Sequence, residues 1–241
     1  MKFYRLDPKV GSTEYIHSTL VNMLDKRAYF LKKLFLEVSG GVDVTDCYMD
    51  VGAGTTTNGV IFGEGFKRKL FLDISIIDMN GIEGELIVGD AQDLPLDDNS
   101  VDLLSLISII EHTTNPQKVI SEAIRVVRVG GEIIIQLPNL YFPLDLHIGM
   151  PNPFWVPQFF RNTYVKLLGY PNFFDEVCSL PTRKEIISWC GKDVKLMGIC
   201  RVVYPSSFIP VIGRPIYWLL EKCNILSLLP LGHLYVFRKV A

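Results

Sequence analysis

Apolar residues recur early in the chain at Ile16, Leu20, Met23, Leu24, Phe30, Leu31, Leu34 and Phe35. Spacings of three and four put them on one side of a helix. The pattern predicts a helix from a cap at Ser12 or Thr13 to about Val38, stopped by Gly40 and Gly41. The period then changes. Residues 47–51 form a short β-prone run that breaks into a turn carrying Gly52 and Gly54, and residues 69–74 read as a second strand ending at Asp73. Glu85 opens a third strand with Asp90 at its exit. Residues 103–110 are a continuous apolar run, which fits a central strand buried on both faces. Asn115 caps a helix with Pro116 at its first position, Val119, Ala123, Ile124 and Val127 supply its apolar face, and Gly130-Gly131 close it. Residues 132–136 form the next strand. Strands and helices in this alternation are βαβ units, hence an α/β fold with a doubly wound parallel sheet.

Beyond residue 139 the pattern is less regular. Residues 149–182 are rich in aromatics and proline, among them Pro151, Phe154, Trp155, Phe159, Phe160, Tyr164, Phe173 and Phe174. Residues 181–189 read as a capped helix, 194–204 as a sixth strand, 215–228 as an apolar helix and 234–239 as the last strand.

The glycine turn carries the first chemistry. A strand ending in Gly-x-Gly lets backbone approach a ligand where a Cβ would collide. Asp50, just before it, favours a ligand with a positive group and would repel a pyrophosphate. Asp73 lies roughly 20 residues beyond the glycines, where an acid in nucleotide-binding α/β units accepts hydrogen bonds from ribose hydroxyls. Asp90 repeats the placement at the exit of the third strand.

Taken together, residues 46–139 resemble a class I S-adenosylmethionine-dependent methyltransferase. The resemblance rests on Asp50-Val-Gly-Ala-Gly54, Leu72-Asp73-Ile-Ser75, Gly89-Asp90-Ala-Gln-Asp-Leu-Pro95, Asn99-Ser-Val-Asp102, Ile110-Glu-His112 and Arg125-Val-Val-Arg-Val-Gly-Gly131, in that order. The nearest subset is the small-molecule group that includes the ubiquinone and menaquinone biosynthetic enzymes. The resemblance implies a Rossmann-like, mostly parallel seven-stranded sheet with an antiparallel last strand and an aromatic-rich insertion after the fifth strand. It implies one domain over residues 1–241: an N-terminal helical segment (1–45), a cofactor-binding core (46–139), an acceptor lid (140–182) and the C-terminal part of the sheet (183–241). It implies S-adenosylmethionine as cofactor and S-adenosylhomocysteine as product. Gly52, Ala53, Gly54 and Thr55 would pass under the methionine part, with Asp50 near its ammonium group. Asp73 would hold the ribose, Ile74 would pack on the adenine, Asp90 and Ala91 would meet the adenine edge, and Ile107 and Ser108 would offer backbone. The chain departs from the pattern at Thr56, where the family usually has a third glycine, and in the short gap between Asp73 and Gly89.

Methyl transfer from a sulfonium needs no protonation of the leaving group, so a base is required only for a hydroxyl or acidic-carbon acceptor. His112, with Glu111 beside it, and His147, with Asp145 nearby, are the candidates. For His112 a helix-capping role weighs equally. The expected partner is a small-molecule, sugar or lipid-linked acceptor.

Composition narrows the remaining classes. Of 241 residues 49% are apolar and the net charge is −2, with a pI near 6.1 and a mean hydropathy of +0.26. No basic face or Asn-Pro-Pro-Tyr motif argues for nucleic acid. Cys47, Cys178, Cys190, Cys200 and Cys223 are an odd number with no Cys-x-x-Cys spacing, so buried thiols in a reducing compartment are expected and no metal site. There is no signal-type apolar region and no run of ~18 apolar residues, so a cytoplasmic protein is expected. Residues 215–228 leave open peripheral membrane contact or an oligomer. Two other readings remain at this point: a non-catalytic methyltransferase-like binding protein, and a nicotinamide-dependent oxidoreductase, which Asp50, Asp90 and the missing glycine at Thr57 disfavour.

Overall fold

Side-chain alternation along the strands sorts the interior into two cores, one on each face of a central sheet. The computed structural model describes residues 13–39, 45–143, 145, 151–204 and 214–241. The strands are β1 (Cys47–Val51), β2 (Arg68–Asp73), β3 (Glu85–Val88), β4 (Val101–Ile107), β5 (Val127–Pro138), β6 (Val194–Val202) and β7 (Gly232–Lys239). The helices are α1 (Thr13–Ser39), α2 (Thr57–Phe62), α3 (Pro116–Val126), α4 (Gln158–Leu167), α5 (Phe173–Glu176), α6 (Arg183–Cys190), α7 (Arg214–Lys222) and α8 (Ile225–Leu228). The sheet order is β3-β2-β1-β4-β5-β7-β6, with β7 antiparallel to both neighbours and the other strands parallel to one another. This is the sheet that the resemblance implies.

Tyr48, Leu103, Ile107, Ile134 and Val236 pack on Leu31 and Phe35 of α1 and Phe62 of α2. The intervening residues Met49, Val51, Leu104, Leu106, Ile133 and Ile135 pack on Val119, Ile120 and Ala123 of α3 and Ile186 of α6. β4 is buried along its whole length, which explains its unbroken apolar run.

Two sequence expectations change. α3 ends at Val126, not at Gly130-Gly131, and the glycine pair lies inside β5. The cause is a shift of register: Val101 pairs with Val127, yet Leu103 pairs with Glu132. Residues 128–131 arch around Asp102, where a Cβ on Gly131 would stand 2.7 Å from the Asp102 carbonyl oxygen. The buried Asp102 carboxylate accepts from the backbone N–H of Asp46 (3.1 Å) and Cys47 (2.7 Å) and from the Arg128 guanidinium. It thereby pins the start of β1 to the middle of the sheet. The apolar run at 215–228 also divides, into α7 and α8, at Asn224, which has φ +59°. Gly40, Gly41 and Ser12 lie outside the described residues.

No helix joins β2 to β3, as the short gap foretold. Phe71, fully buried, fills that space, and a Cβ on Gly59 or Gly84 would stand 2.3 or 2.4 Å from its ring. After β5, α4 and α5 build a separate small cluster around Val165, Phe173 and Val177. Among the described residues, no helix is long and apolar enough to cross a membrane.

Asp102→Ala is expected to cost about 3 kcal/mol, because it orphans one buried and one part-buried N–H group and a guanidinium together. Urea unfolding checks this: the midpoint falls while the slope stays unchanged.

Candidate functional site

The strand order reverses between β1 and β4, and in open α/β sheets ligands bind beyond the carboxyl ends of the strands at such a switch point. Residues 52–56, leaving β1, and Ser108-Ile109, leaving β4, border the crevice. The two glycines do different work. Gly52 (φ +76°) donates to the Leu72 carbonyl at 2.8 Å, and the space of its missing Cβ is filled by the Ile109 side chain at 2.8 Å. Gly54 (φ +49°) is open: a Cβ there would meet only the Gly52 carbonyl, at 3.8 Å. Thr56 takes the left-handed conformation that suits a third glycine (φ +62°, ψ −10°) and is 3% exposed, its hydroxyl donating to the Thr55 carbonyl at 2.6 Å. That conformation is costly for a β-branched residue.

Asp73 ends β2 facing this loop. Its Oδ2 accepts from the Gly54 N–H at 3.0 Å, and its Oδ1 from the Ser75 backbone and hydroxyl, both at 3.2 Å. A carboxylate has about four lone-pair directions, so it is oriented with acceptor capacity remaining. Asp50 lies under the loop, 2% exposed. Tyr48 donates to Ser105 (2.7 Å), which donates to Asp50 Oδ1 (2.6 Å). Asp50 Oδ2 has no partner in hydrogen-bonding geometry. Burial pushes this carboxyl up to about 7; the Ser105 hydroxyl and the facing Gly59 N–H draw it down and Asp73 lifts it. A cation brought against the loop would draw it to the ionised form. Ala53 and Ala91 are buried, Thr55 is exposed, and Ile74 is 79% exposed beside Asp73. Asp90 is exposed at the exit of β3, its oxygens turned to the Gln92 amide and side chain. A buried acid with one oxygen outside hydrogen-bonding geometry, an open glycine and an oriented carboxylate fit a ligand with an ammonium group and neighbouring hydroxyls, which S-adenosylmethionine has.

The predicted base residues stand further along the crevice. Glu111 is fully buried, and its carbonyl accepts from Cys178 and Ser179 N–H. His112 Nδ1 lies 2.6 Å from the Glu176 carbonyl. A carbonyl only accepts, so Nδ1 carries the proton and Nε2 is the basic nitrogen of the neutral ring. Both residues tie the turn after β4 to the aromatic segment. His147 lies outside the described residues; Asp145 is 3% exposed. Ile107 points into the α1 core, and Ser108 (φ +53°) turns the chain out of the sheet.

The sequence reading missed a cluster here. Arg27 of α1 donates from Nη2 to Ser108 Oγ (2.6 Å) and Gln136 Oε1 (2.8 Å), and from Nε to the Tyr204 hydroxyl (3.1 Å). A signal was present: Arg27 interrupts the apolar stripe of Met23, Leu24, Phe30 and Leu31 at helical spacing.

The loop yields opposite expectations at two positions. Gly52→Ala should destabilise by more than about 2 kcal/mol, since it adds left-handed strain and collides with Ile109. Thr56→Gly should leave stability equal or raise it by about 1 kcal/mol. Thermal unfolding of the two variants checks the signs.

Comparison with known proteins gives this region relatives. Residues 49–135 match the model for a methyltransferase domain. The rice (Oryza sativa subsp. japonica) chloroplastic 2-methyl-6-phytyl-1,4-hydroquinone methyltransferase 1 is 29% identical over 167 residues, covering 63% of this chain and 42% of that protein. A ubiquinone/menaquinone biosynthesis C-methyltransferase of Roseobacter denitrificans is 40% identical over 57 residues, 22% of this chain and 23% of its own. The chain spans 42% of the length of the first curated relatives it matches. Geranyl diphosphate methyltransferase in complex with S-adenosylmethionine shares the fold, with a TM-score of 0.56 at 15% identity over 90% of this chain and 85% of that one. Motif order, sheet order and domain match agree: residues 49–135 carry a methyltransferase-type domain, similar to that of the class I S-adenosylmethionine-dependent methyltransferases.

Proposed function

We propose that the chain methylates a small-molecule acceptor of the prenylated quinol kind, with S-adenosylmethionine held across the carboxyl ends of β1, β2 and β4. One observation carries this reading: the bond from the Gly54 N–H to Asp73 Oδ2. It joins the open glycine of β1 to the acid of β2, so both halves of a nucleoside site are set before any ligand arrives.

Bound S-adenosylmethionine supplies a methyl group on a positively charged sulfur, which keeps the electron pair of the broken C–S bond. The residues of this chain then act by holding and aligning. Asp73 takes the ribose hydroxyls on its remaining lone pairs. Asp50 sits beneath the loop as a counter-charge for the ammonium group, and its raised pKa makes the proton state responsive to that group. Ile74 lies beside Asp73 and offers an apolar face to the adenine, with Ala91 and Asp90 at its edge. The backbone of Ile107, Ser108 and Gly52 frames the sulfur side.

The acceptor atom supplies the electron pair for the new bond and gives up a proton when it is a hydroxyl or an acidic carbon. His112 takes that proton only if the wall over its buried Nε2 opens, because Nδ1 is committed to the Glu176 carbonyl. Support for the acceptor class is the likeness to relatives named as a 2-methyl-6-phytyl-1,4-hydroquinone methyltransferase and a ubiquinone/menaquinone biosynthesis C-methyltransferase. The exposed Trp155, Phe159 and Phe160 after β5 suit an acceptor with an apolar tail.

Calorimetric titration with S-adenosylhomocysteine tests the reading. Micromolar binding is expected for the wild type, and a loss of at least about tenfold in Asp73→Ala, the equivalent of one charge-assisted hydrogen bond. No binding at millimolar ligand, or equal affinity in the variant, contradicts it.

A further inference from the structure

The Arg27 cluster is not explained by holding a cofactor. Ile107 and Gln136 are register partners, so Ser108 Oγ and Gln136 Oε1 stand together at the carboxyl ends of β4 and β5. With strands spaced about 4.8 Å apart, the guanidinium lies one to two strands past the β1 glycine loop. Strand order puts it on the side away from Asp73 and Asp90. α1 brings Arg27 to this edge and Tyr204, just beyond β6, closes the far side, its ring packed 5.6 Å from Phe30.

The chemistry of the cluster is unbalanced. An arginine is charged at any working pH, and the three groups that meet it here are a serine hydroxyl, a glutamine carbonyl and a tyrosine hydroxyl, all neutral. Ser108 Oγ also donates to Gln136 Oε1 at 2.9 Å, so the neutral groups brace one another and orient the guanidinium. Among the described residues, no carboxylate bonds to Arg27. Arg125, Arg128 and Arg238 each have an acid partner, whereas Arg161, like Arg27, meets only neutral groups, there two backbone carbonyls of its own segment. Arg27 is half-buried, where a lone cation is costly without a counter-charge. Nε and Nη2 are used, and Nη1 carries two further N–H groups that no described residue accepts. A hydrogen-bonding strap between helix and sheet needs no charge, whereas a ligand anion does.

We infer that Arg27, braced by Ser108, Gln136 and Tyr204, binds an oxyanion of the methyl acceptor, a phenolate, carboxylate or phosphate, and so positions the acceptor beside the cofactor. This rests on the methyltransferase reading for the identity of the ligand as acceptor, though not for the anion site itself. It adds a specificity: acceptors stripped of the anionic oxygen should bind poorly whatever their apolar tail. A phenolate held here would also keep an aromatic ring electron-rich.

The test titrates protein saturated with S-adenosylhomocysteine with 4-nitrophenol, sodium benzoate and inorganic phosphate, with neutral benzamide as control. Wild type, Arg27→Met and Arg27→Lys are compared. At least one anion should bind the wild type more tightly than benzamide. Arg27→Met should weaken that binding by about tenfold or more, a charge-assisted hydrogen bond's worth, and Arg27→Lys should recover part of it. S-adenosylhomocysteine affinity should be the same in all three proteins. A preference for 4-nitrophenol, with its absorbance moved toward the phenolate, assigns a phenolate acceptor, and a preference for benzoate or phosphate assigns those groups. Equal anion binding in wild type and Arg27→Met overturns the inference, as does a wild type that binds no anion better than benzamide. Should Arg27→Met fail to fold, Arg27→Lys decides, because unchanged salt dependence and affinity for every anion with no loss of the two-pronged geometry would equally overturn it. Failure of S-adenosylhomocysteine to bind the wild type counts against the methyltransferase reading alone, and the anion titrations are then run without it.

Discussion

The backbone between β1 and α2 turns through left-handed conformations at Gly52, Gly54 and Thr56 directly above a buried carboxylate, and the rest of the site depends on that turn. Gly52 must be a glycine because Ile109 fills its side, and Gly54 leaves its own side open. The same turn delivers the Gly54 N–H to Asp73, which couples the ends of β1 and β2 without a ligand. Under it, Tyr48, Ser105 and Asp50 form a hydrogen-bonded line within the sheet. A buried polar line of this kind is costly to leave half-satisfied, and Asp50, with Oδ2 facing Gly59 outside hydrogen-bonding geometry, is the member able to respond to a charge at the loop.

Much of this was legible in the sequence because the relevant signals are local. The glycine pair, the acids at the ends of β2 and β3, and the Asn115-Pro116 helix start each sit within a few residues of the feature they create. β4 showed itself through continuous apolarity. What was not legible depends on pairing between distant residues. The Gly130-Gly131 pair reads as a helix stop, yet it serves a bulge around Asp102, a partner reached only through the β4–β5 register. α2 is six residues long, too short to display a period. Thr56 was visible as a departure, but its left-handed backbone was not, since the conformation is imposed by the turn on either side.

The acceptor side shows the same division more sharply. His112 and Glu111 were visible from their place after β4, and the structure gives them further tasks: each backbone or ring contact ties that turn to residues 176–179. Arg27 was hidden because its partners come from the turn after β4, from β5 and from the chain after β6. Fold alone does not fix function, so under the proposed reading the choice of acceptor rests with side chains such as these.

The central claim is that one ligand site lies across the carboxyl ends of β1, β2 and β4. The most direct measurement is a map of backbone amide NMR shifts on addition of S-adenosylhomocysteine. The account predicts the largest changes at Gly52 to Thr55, at Asp73 to Ser75, at Ala91 and at Ser108, with the β6–β7 edge unmoved. Shifts gathered anywhere else, or none at saturating ligand, would contradict it.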